Sequence, residues 1–88
     1  THESLVAPMS PQMSFEEAAS LPVILCTALG VMDHVKLEGK NVLIHASAGG
    51  VGISATTLAR RFYGANRIFG TCSSYEKRRI SSKFGCSL

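Results

Sequence analysis

The clearest chemical signal in this 88-residue sequence is a run of small residues from Ser47 to Gly52, Ser-Ala-Gly-Gly-Val-Gly. It follows an apolar run, residues 41–46, and precedes a stretch in which apolar residues recur at helical spacing. Small residues at a strand-to-helix turn let backbone N–H groups approach phosphate oxygens closely. The turn matches the dinucleotide pattern G-x-G-x-x-G, with Ser47 in place of the first glycine. The sequence therefore predicts a pyrophosphate site, and a tight turn without a ligand is the alternative.

Each position in this turn has an expected role. Gly49 allows the backbone to approach a pyrophosphate, and Gly52 allows the following helix to pack closely on the strand. The N–H groups of Gly50 and Val51 are expected at the helix start, where the helix dipole favours an anion, and Ala48 belongs to the same binding turn. The P-loop spacing G-x-x-x-x-G-K-[ST] and the spacing G-x-x-x-G-x-G do not fit this turn.

The residues after the second apolar run predict which dinucleotide would bind. An NAD site usually places Asp or Glu about 20 residues beyond the glycines, whereas residues 70–74 here contain no acid. The hydroxyls of Ser73 and Ser74, followed by Lys77 and Arg78, would suit an anionic 2′-phosphate. NADPH is therefore favoured over NADH. In the alternative interpretation, Ser73 only caps a helix and the basic residues are solvated.

These motifs are expected on an α/β framework, a partial Rossmann βαβ fold with a helical lead-in. A capping box at Ser14 and Glu17 predicts a short helix, and Pro22 predicts the start of a second helix that runs towards Val35 and ends at Gly39. The remaining predicted elements are a strand buried on both faces (41–46), a helix (51–62), a strand (67–71), a helix (75–84) and the start of a third strand at residue 88. The apolar stripe of the first βαβ helix is assigned to Val51, Ala55, Leu58, Ala59 and Phe62. Residues 1–12 are read as an extended connection, and residues 13–88 as the NADP-binding domain.

Composition and charge restrict the other possibilities. The formal net charge is +3, and the sequence from Arg60 onward contains seven basic residues and one acidic residue, Glu76. RNA binding by this basic half has little support because no aromatic binding motif accompanies it. No membrane span is expected, because no uninterrupted apolar stretch reaches about 18 residues. Three widely spaced cysteines favour reduced thiols over disulfides or a metal site. Cys26 and Cys72 are expected to be small core residues and His45 a hydrogen-bonded core residue, so no catalytic residue is assigned.

The same residues resemble the medium-chain dehydrogenase/reductase superfamily in its zinc-independent branch, which includes quinone oxidoreductases and the enoyl reductase domains of polyketide and fatty acid synthases. The resemblance rests mainly on residues 13–22, Val42–Gly52 and Gly70–Lys77. It implies that Gly49, Gly50 and Val51 contact the NADPH pyrophosphate and that Thr27 lies near the nicotinamide. Ser73 or Ser74, together with Lys77, would then hold the 2′-phosphate.

The resemblance also implies hydride transfer to a quinone, an enone or an enoyl thioester. Members of this family are longer, so the chain is expected to be an inactive fragment of the cofactor domain of a cytoplasmic enzyme, which is a homodimer or part of a multidomain synthase. The apolar strand at residues 42–46 would leave an edge open to association. A noncatalytic nucleotide-binding or structural subunit is the alternative from a different functional class.

Overall fold

A computed structural model describes residues 2–86 of the chain. A 3₁₀ turn at Glu3–Leu5 lies in the N-terminal segment, which is otherwise without regular structure up to the first α-helix. The described elements that follow are α1 (Phe15–Ala19), α2 (Pro22–Met32), β1 (Asn41–Ile44), α3 (Gly50–Arg61), β2 (Arg67–Gly70) and α4 (Tyr75–Lys83). The two strands are parallel neighbours joined by α3, so the predicted βαβ fold with its helical lead-in is confirmed. The third strand predicted at residue 88 lies outside the described residues.

The helical lead-in forms as the capping residues predict. The Ser14 hydroxyl accepts the Glu17 N–H at 3.1 Å, and a Glu17 carboxylate oxygen accepts the Ser14 N–H at 3.0 Å. Pro22 occupies the first position of α2, where its missing N–H has no partner to lose. However, α2 ends at Met32, not near Val35. The chain turns after Met32, Leu37 is buried in the core, and Gly39, with φ +72°, belongs to the turn just before β1.

The strand pairing fixes where the two carboxyl ends meet. Asn41 pairs with Arg67, and Ile44 pairs with Gly70, so both strands end at the same level of the sheet. The ladder continues past the strands because the Ser47 N–H donates to the Thr71 carbonyl at 2.9 Å. In a parallel sheet, this carboxyl edge is where ligands bind.

Helix α3 buries a face that agrees only in part with the one that apolar periodicity predicts. Gly52, Thr56 and Ala59 are buried, whereas Val51 is exposed and Phe62 is 74% exposed. Of the predicted stripe, Ala59 is buried as expected, and Ala55 and Leu58 are partly buried against the core. The prediction is wrong at Val51 and Phe62, because small residues occupy the inner face where the helix approaches the turn after β1 most closely.

The core lies between the sheet, α2 and α3. Its buried members are Met32, Leu37, Ala59, Ile68 and Cys86, and the partly buried residues packed against them include Val42 and Ile44. On the opposite side of the sheet Leu43 is 58% exposed and Phe69 is also exposed. The prediction that β1 is buried on both faces is therefore wrong, because the described residues cover only the α3 side.

One apolar stretch contradicts the sequence expectation about membrane spans. Phe15–Met32 is 18 residues long and has a mean hydropathy of 1.5, so by length and composition it could cross a membrane. Only 11% of this stretch is buried in the structure. The chain leaves the α-helix at Ser20 and Leu21, and the longer piece, α2, has 11 residues. At 1.5 Å per residue α2 extends about 16 Å, roughly half of a bilayer core. This stretch is weak evidence for a membrane segment.

Candidate functional site

A cleft of about 400 Å³ opens at the carboxyl edge of the sheet, between the turn after β1 and the start of α4. We call it the strand-end cleft. Backbone and side chains from both strand ends and from α4 line it: Ala46, Ala48, Gly49, Thr71, Cys72, Ser73 and Lys77. Four of these, Ala48, Gly49, Ser73 and Lys77, are among the residues that the sequence nominates for binding. The fold thus brings the glycine turn and the Ser73–Lys77 region to one depression.

The glycines of the turn meet steric demands that a side chain could not. Gly49 is the N-cap of α3, and a Cβ there would lie 3.3 Å from the Ala46 carbonyl oxygen. Gly52 is tighter, since its Cβ would lie 2.7 Å from the Ser47 Cα. Helix and strand therefore pack as closely as predicted at Gly52. Gly49 keeps the mouth of the cleft free of a side chain at the helix N-terminus, where the dipole is positive.

The turn itself starts with an unusual backbone conformation. Ala46 has φ +54°, in the left-handed region that few residues other than glycine adopt, and it directly precedes Ser47. The Thr71 hydroxyl oxygen accepts the Ala46 N–H at 3.1 Å and lies 3.1 Å from the His45 Nδ1. These contacts tie the turn to the end of β2.

The start of α4 carries the polar groups on the opposite side of the cleft. Ser74 is the N-cap, and its hydroxyl accepts the Lys77 N–H at 3.2 Å. The Lys77 ammonium donates to the Ser73 hydroxyl at 3.2 Å, which holds both groups at the cleft. Arg78 instead lies over the Tyr75 ring, 5.9 Å from its centroid. Ser73 therefore does not cap the helix; that role belongs to Ser74.

The other nominated residues lie outside the cleft lining. Gly50 and Val51 form the first turn of α3, and a Cβ on Gly50 would meet the Ile24 side chain of α2 at 3.1 Å. Thr27 is exposed on α2, and its hydroxyl donates to the Val23 carbonyl at 2.7 Å. Glu76 lines a separate groove with Arg79, Ile80 and Lys83, so no carboxylate is among the residues lining the strand-end cleft.

Three expectations about core residues are wrong, and three residues that line the cleft were not predicted to do so. His45 and Cys26 are exposed, since β1 ends before His45 and Cys26 lies on the outer face of α2. Ala46, which follows β1, lines the cleft although it was not among the predicted binding residues. Cys72 was expected in the core but is only partly buried. It lines the cleft beside Thr71, and neither residue was predicted to do so. Their position directly after β2 was the signal that could have found them, because strand ends meet at this edge.

Sequence comparison finds relatives among modular synthases. A spectinabilin polyketide synthase protein from Streptomyces orinoci is 52% identical over 71 residues, which are 78% of this chain and 3% of that protein. A highly-reducing polyketide synthase from Aureobasidium melanogenum is 47% identical over 83 residues, which are 91% of this chain and 4% of the synthase. No protein-family model matches the sequence.

Comparison with solved structures finds reductases of similar fold. The CurK enoyl reductase is 40% identical with a TM-score of 0.81, over 92% of this chain and 24% of that one. The chain belongs to the medium-chain dehydrogenase/reductase superfamily. Another similar structure is the Escherichia coli quinone oxidoreductase solved with NADPH, 29% identical with a TM-score of 0.80 over 91% of this chain and 24% of that one. A mycobacterial protein, also solved with NADPH, is 36% identical with a TM-score of 0.84 over 98% of this chain and 26% of that one.

The chain spans a small part of each of these relatives. It matches 3–4% of the length of the polyketide synthases and about a quarter of each solved medium-chain reductase. The matched part is the segment that contains the glycine turn and both strand ends.

Proposed function

We propose that this chain forms the phosphate-binding part of an NADPH site in an enoyl reductase or quinone oxidoreductase of the medium-chain superfamily. The observation that carries the proposal is the strand-end cleft, where Gly49 at a helix N-terminus faces the Ser73–Lys77 pair. These are the two kinds of group that the two phosphate positions of NADPH require.

The pyrophosphate would lie against the turn at Gly49. The N-terminal N–H groups of α3 lack intrahelical partners, and the helix dipole adds a favourable potential for an anion. Gly49 places no side chain at that approach, and a Cβ there would also lie 3.3 Å from the Ala46 carbonyl oxygen. The cleft volume of about 400 Å³ lies within the usual range for small-molecule sites.

The adenosine 2′-phosphate would lie at Ser73 and Lys77. A phosphate oxygen could replace the Lys77–Ser73 hydrogen bond with one bond to each group, so both donors are already in place. An adenosine 2′-hydroxyl would gain less from an ammonium group, since it has no charge. The strand-end cleft lining carries no carboxylate to accept the two ribose hydroxyls of NADH.

The chemistry of the parent protein follows from the cofactor. Bound NADPH would supply a hydride to a carbon conjugated with a carbonyl, while this chain binds and orients the adenylate half. We assign Thr27 to the side of the site nearer the nicotinamide and the first turn of α3 to the pyrophosphate. An enoyl thioester is the preferred substrate class, because the polyketide synthases are up to 52% identical to this chain. The parent would then act as part of a soluble multidomain synthase.

Titration of the folded chain with NADPH and NADH tests the proposal. Lys77→Ala should weaken NADPH binding about tenfold and NADH binding by less than about twofold, since only the 2′-phosphate loses a charged donor. Lys83→Ala is the matched control, because Lys83 lies on the same helix but lines the separate groove. Calorimetry gives both affinities, and circular dichroism verifies folding.

Two results would contradict the proposal. An absence of saturable NADPH binding by the folded chain would favour a noncatalytic structural role. Equal weakening of NADPH and NADH in Lys77→Ala would remove the 2′-phosphate assignment. Polyanion binding that depends steeply on salt and is lost equally in Lys77→Ala and Lys83→Ala would instead favour RNA.

A further inference from the structure

Three small residues meet at one buried point between the turn after β1, the end of β2 and the last turn of α4. Ser47 and Ser81 are 1% and 0% exposed, and their hydroxyl oxygens lie 2.5 Å apart. The Ser47 hydroxyl oxygen also lies 3.2 Å from the Thr71 carbonyl oxygen, and when Ser47 donates to that carbonyl, Ser81 is the donor in the Ser47–Ser81 hydrogen bond. Gly70 leaves the space, since a Cβ there would lie 2.6 Å from the Ser47 Cβ and 2.9 Å from the Ser81 hydroxyl oxygen.

The Ser47–Ser81 hydrogen bond attaches α4 to the turn after β1. Ser81 is the one buried residue within that helix. Beyond the helix end, the Gly85 carbonyl accepts from the Arg60 guanidinium at 2.6 Å, and Cys86 packs in the core. Those contacts hold the far end of α4, whereas Ser81 lies one helical turn from Lys77 and on the same face.

We propose that Ser47 and Ser81 are positioning residues that set the preference for NADPH over NADH. The inference rests on the proposed function. Ser47 belongs to the turn that would hold the pyrophosphate, and Ser81 belongs to the helix that carries Lys77 to the 2′-phosphate. Their hydrogen bond fixes the spacing between the two phosphate positions. Loss of this hydrogen bond shifts Lys77 relative to the bound pyrophosphate and so weakens NADPH binding. The affinity for NADH does not change, because NADH has no 2′-phosphate to contact Lys77.

Ser81→Ala tests this role directly. The substitution keeps an apolar group in the buried site and leaves the Ser47 hydroxyl bonded to the Thr71 carbonyl, so no buried donor is orphaned. We expect the NADPH dissociation constant to rise about fivefold and that of NADH to change by less than about twofold. Ser82→Ala is the matched control on the neighbouring exposed position and should leave both constants unchanged. A merely structural role would weaken both dinucleotides alike.

Ser47→Ala and the double variant complete a cycle. If the two hydroxyls act as one unit, the double variant should lose no more NADPH preference than either single variant. Should Ser81→Ala not fold, Ser47→Ala is judged by the same ratio of the two dissociation constants. A ratio within about twofold of wild type in the folded variants overturns the positioning role while the proposed function stands. Failure of the wild-type chain to bind NADPH overturns both.

Discussion

Substitution of Gly52 by alanine should destabilise the fold, although alanine is the better helix former. Gly52 lies in the first turn of α3, where an added Cβ would sit 2.7 Å from the Ser47 Cα and 3.0 Å from the Ala46 carbonyl carbon. Both atoms are backbone and cannot rotate away. To reach an ordinary contact of 3.4 Å, the Cβ must move at least about 0.7 Å away from the Ser47 Cα, and further from the Ala46 carbonyl oxygen, which is closer still.

The size of the effect follows from two opposing contributions. Glycine to alanine inside a helix gains about 1 kcal/mol where space is free. Forcing a methyl group into a closely packed contact typically costs 1–3 kcal/mol, and here the contact is with backbone, so we expect a net loss of about 2 kcal/mol. Gly30→Ala in α2 is the matched control, because no atom lies within 4 Å of its added Cβ. That variant should gain about 1 kcal/mol.

Thermal and urea unfolding followed by circular dichroism measure both variants. For a domain of this size, the expected shifts in Tm are about 10 °C downward for Gly52→Ala and about 5 °C upward for Gly30→Ala. The reasoning is refuted if Gly52→Ala is as stable as Gly30→Ala. That result would mean that α3 does not pack against the turn as closely as the structure shows.

Two further predictions concern the pH dependence of stability. The Ser14 N–H and hydroxyl lower the pKa of the Glu17 carboxyl, so α1 is stabilised above about pH 4.5 and loses this contribution as the pH falls through the lowered pKa. Glu17→Gln should remove this acid-side change in the NMR shifts of the α1 amides, and a change that persists would contradict the capping box. The Tyr63 hydroxyl donates to Asp33 at 2.6 Å, which raises the pKa of Tyr63, so its contribution holds below about pH 10 and is lost as the pH rises through the raised pKa. Tyr63→Phe should flatten the stability profile measured by urea unfolding at alkaline pH, and an unchanged profile would exclude this bond as its cause.

The order of elements could be predicted from sequence because local chemistry determines it. The capping box at Ser14, the proline at the start of α2 and the glycines after α3 and α4 each act within a few residues. These signals do not depend on what the rest of the chain does. The strands and their parallel pairing followed from the short apolar runs on either side of α3.

Burial was harder to predict because it depends on the distance between elements. Apolar periodicity assigned Val51 and Phe62 to the inner face of α3, yet Gly52 and Thr56 occupy it. The Thr56 hydroxyl bonds to the Gly52 carbonyl at 2.8 Å, so a polar side chain is satisfied within its own helix. A prediction from hydrophobic periodicity misses this face, because the close contact between α3 and the turn requires small side chains and not apolar ones.

Ser47 shows why a position-by-position comparison with G-x-G-x-x-G underrates this turn. The first glycine of that pattern serves a tight turn, and here the left-handed conformation falls on Ala46, one residue earlier. The space that a glycine at position 47 would leave is instead supplied by Gly70 on the neighbouring strand, since a Cβ on Gly70 would collide with the Ser47 side chain. Ser47 then uses its hydroxyl to connect β2 and α4, which a glycine could not do. The serine is therefore coupled to Gly70 and Ser81, and the three positions have to be considered together.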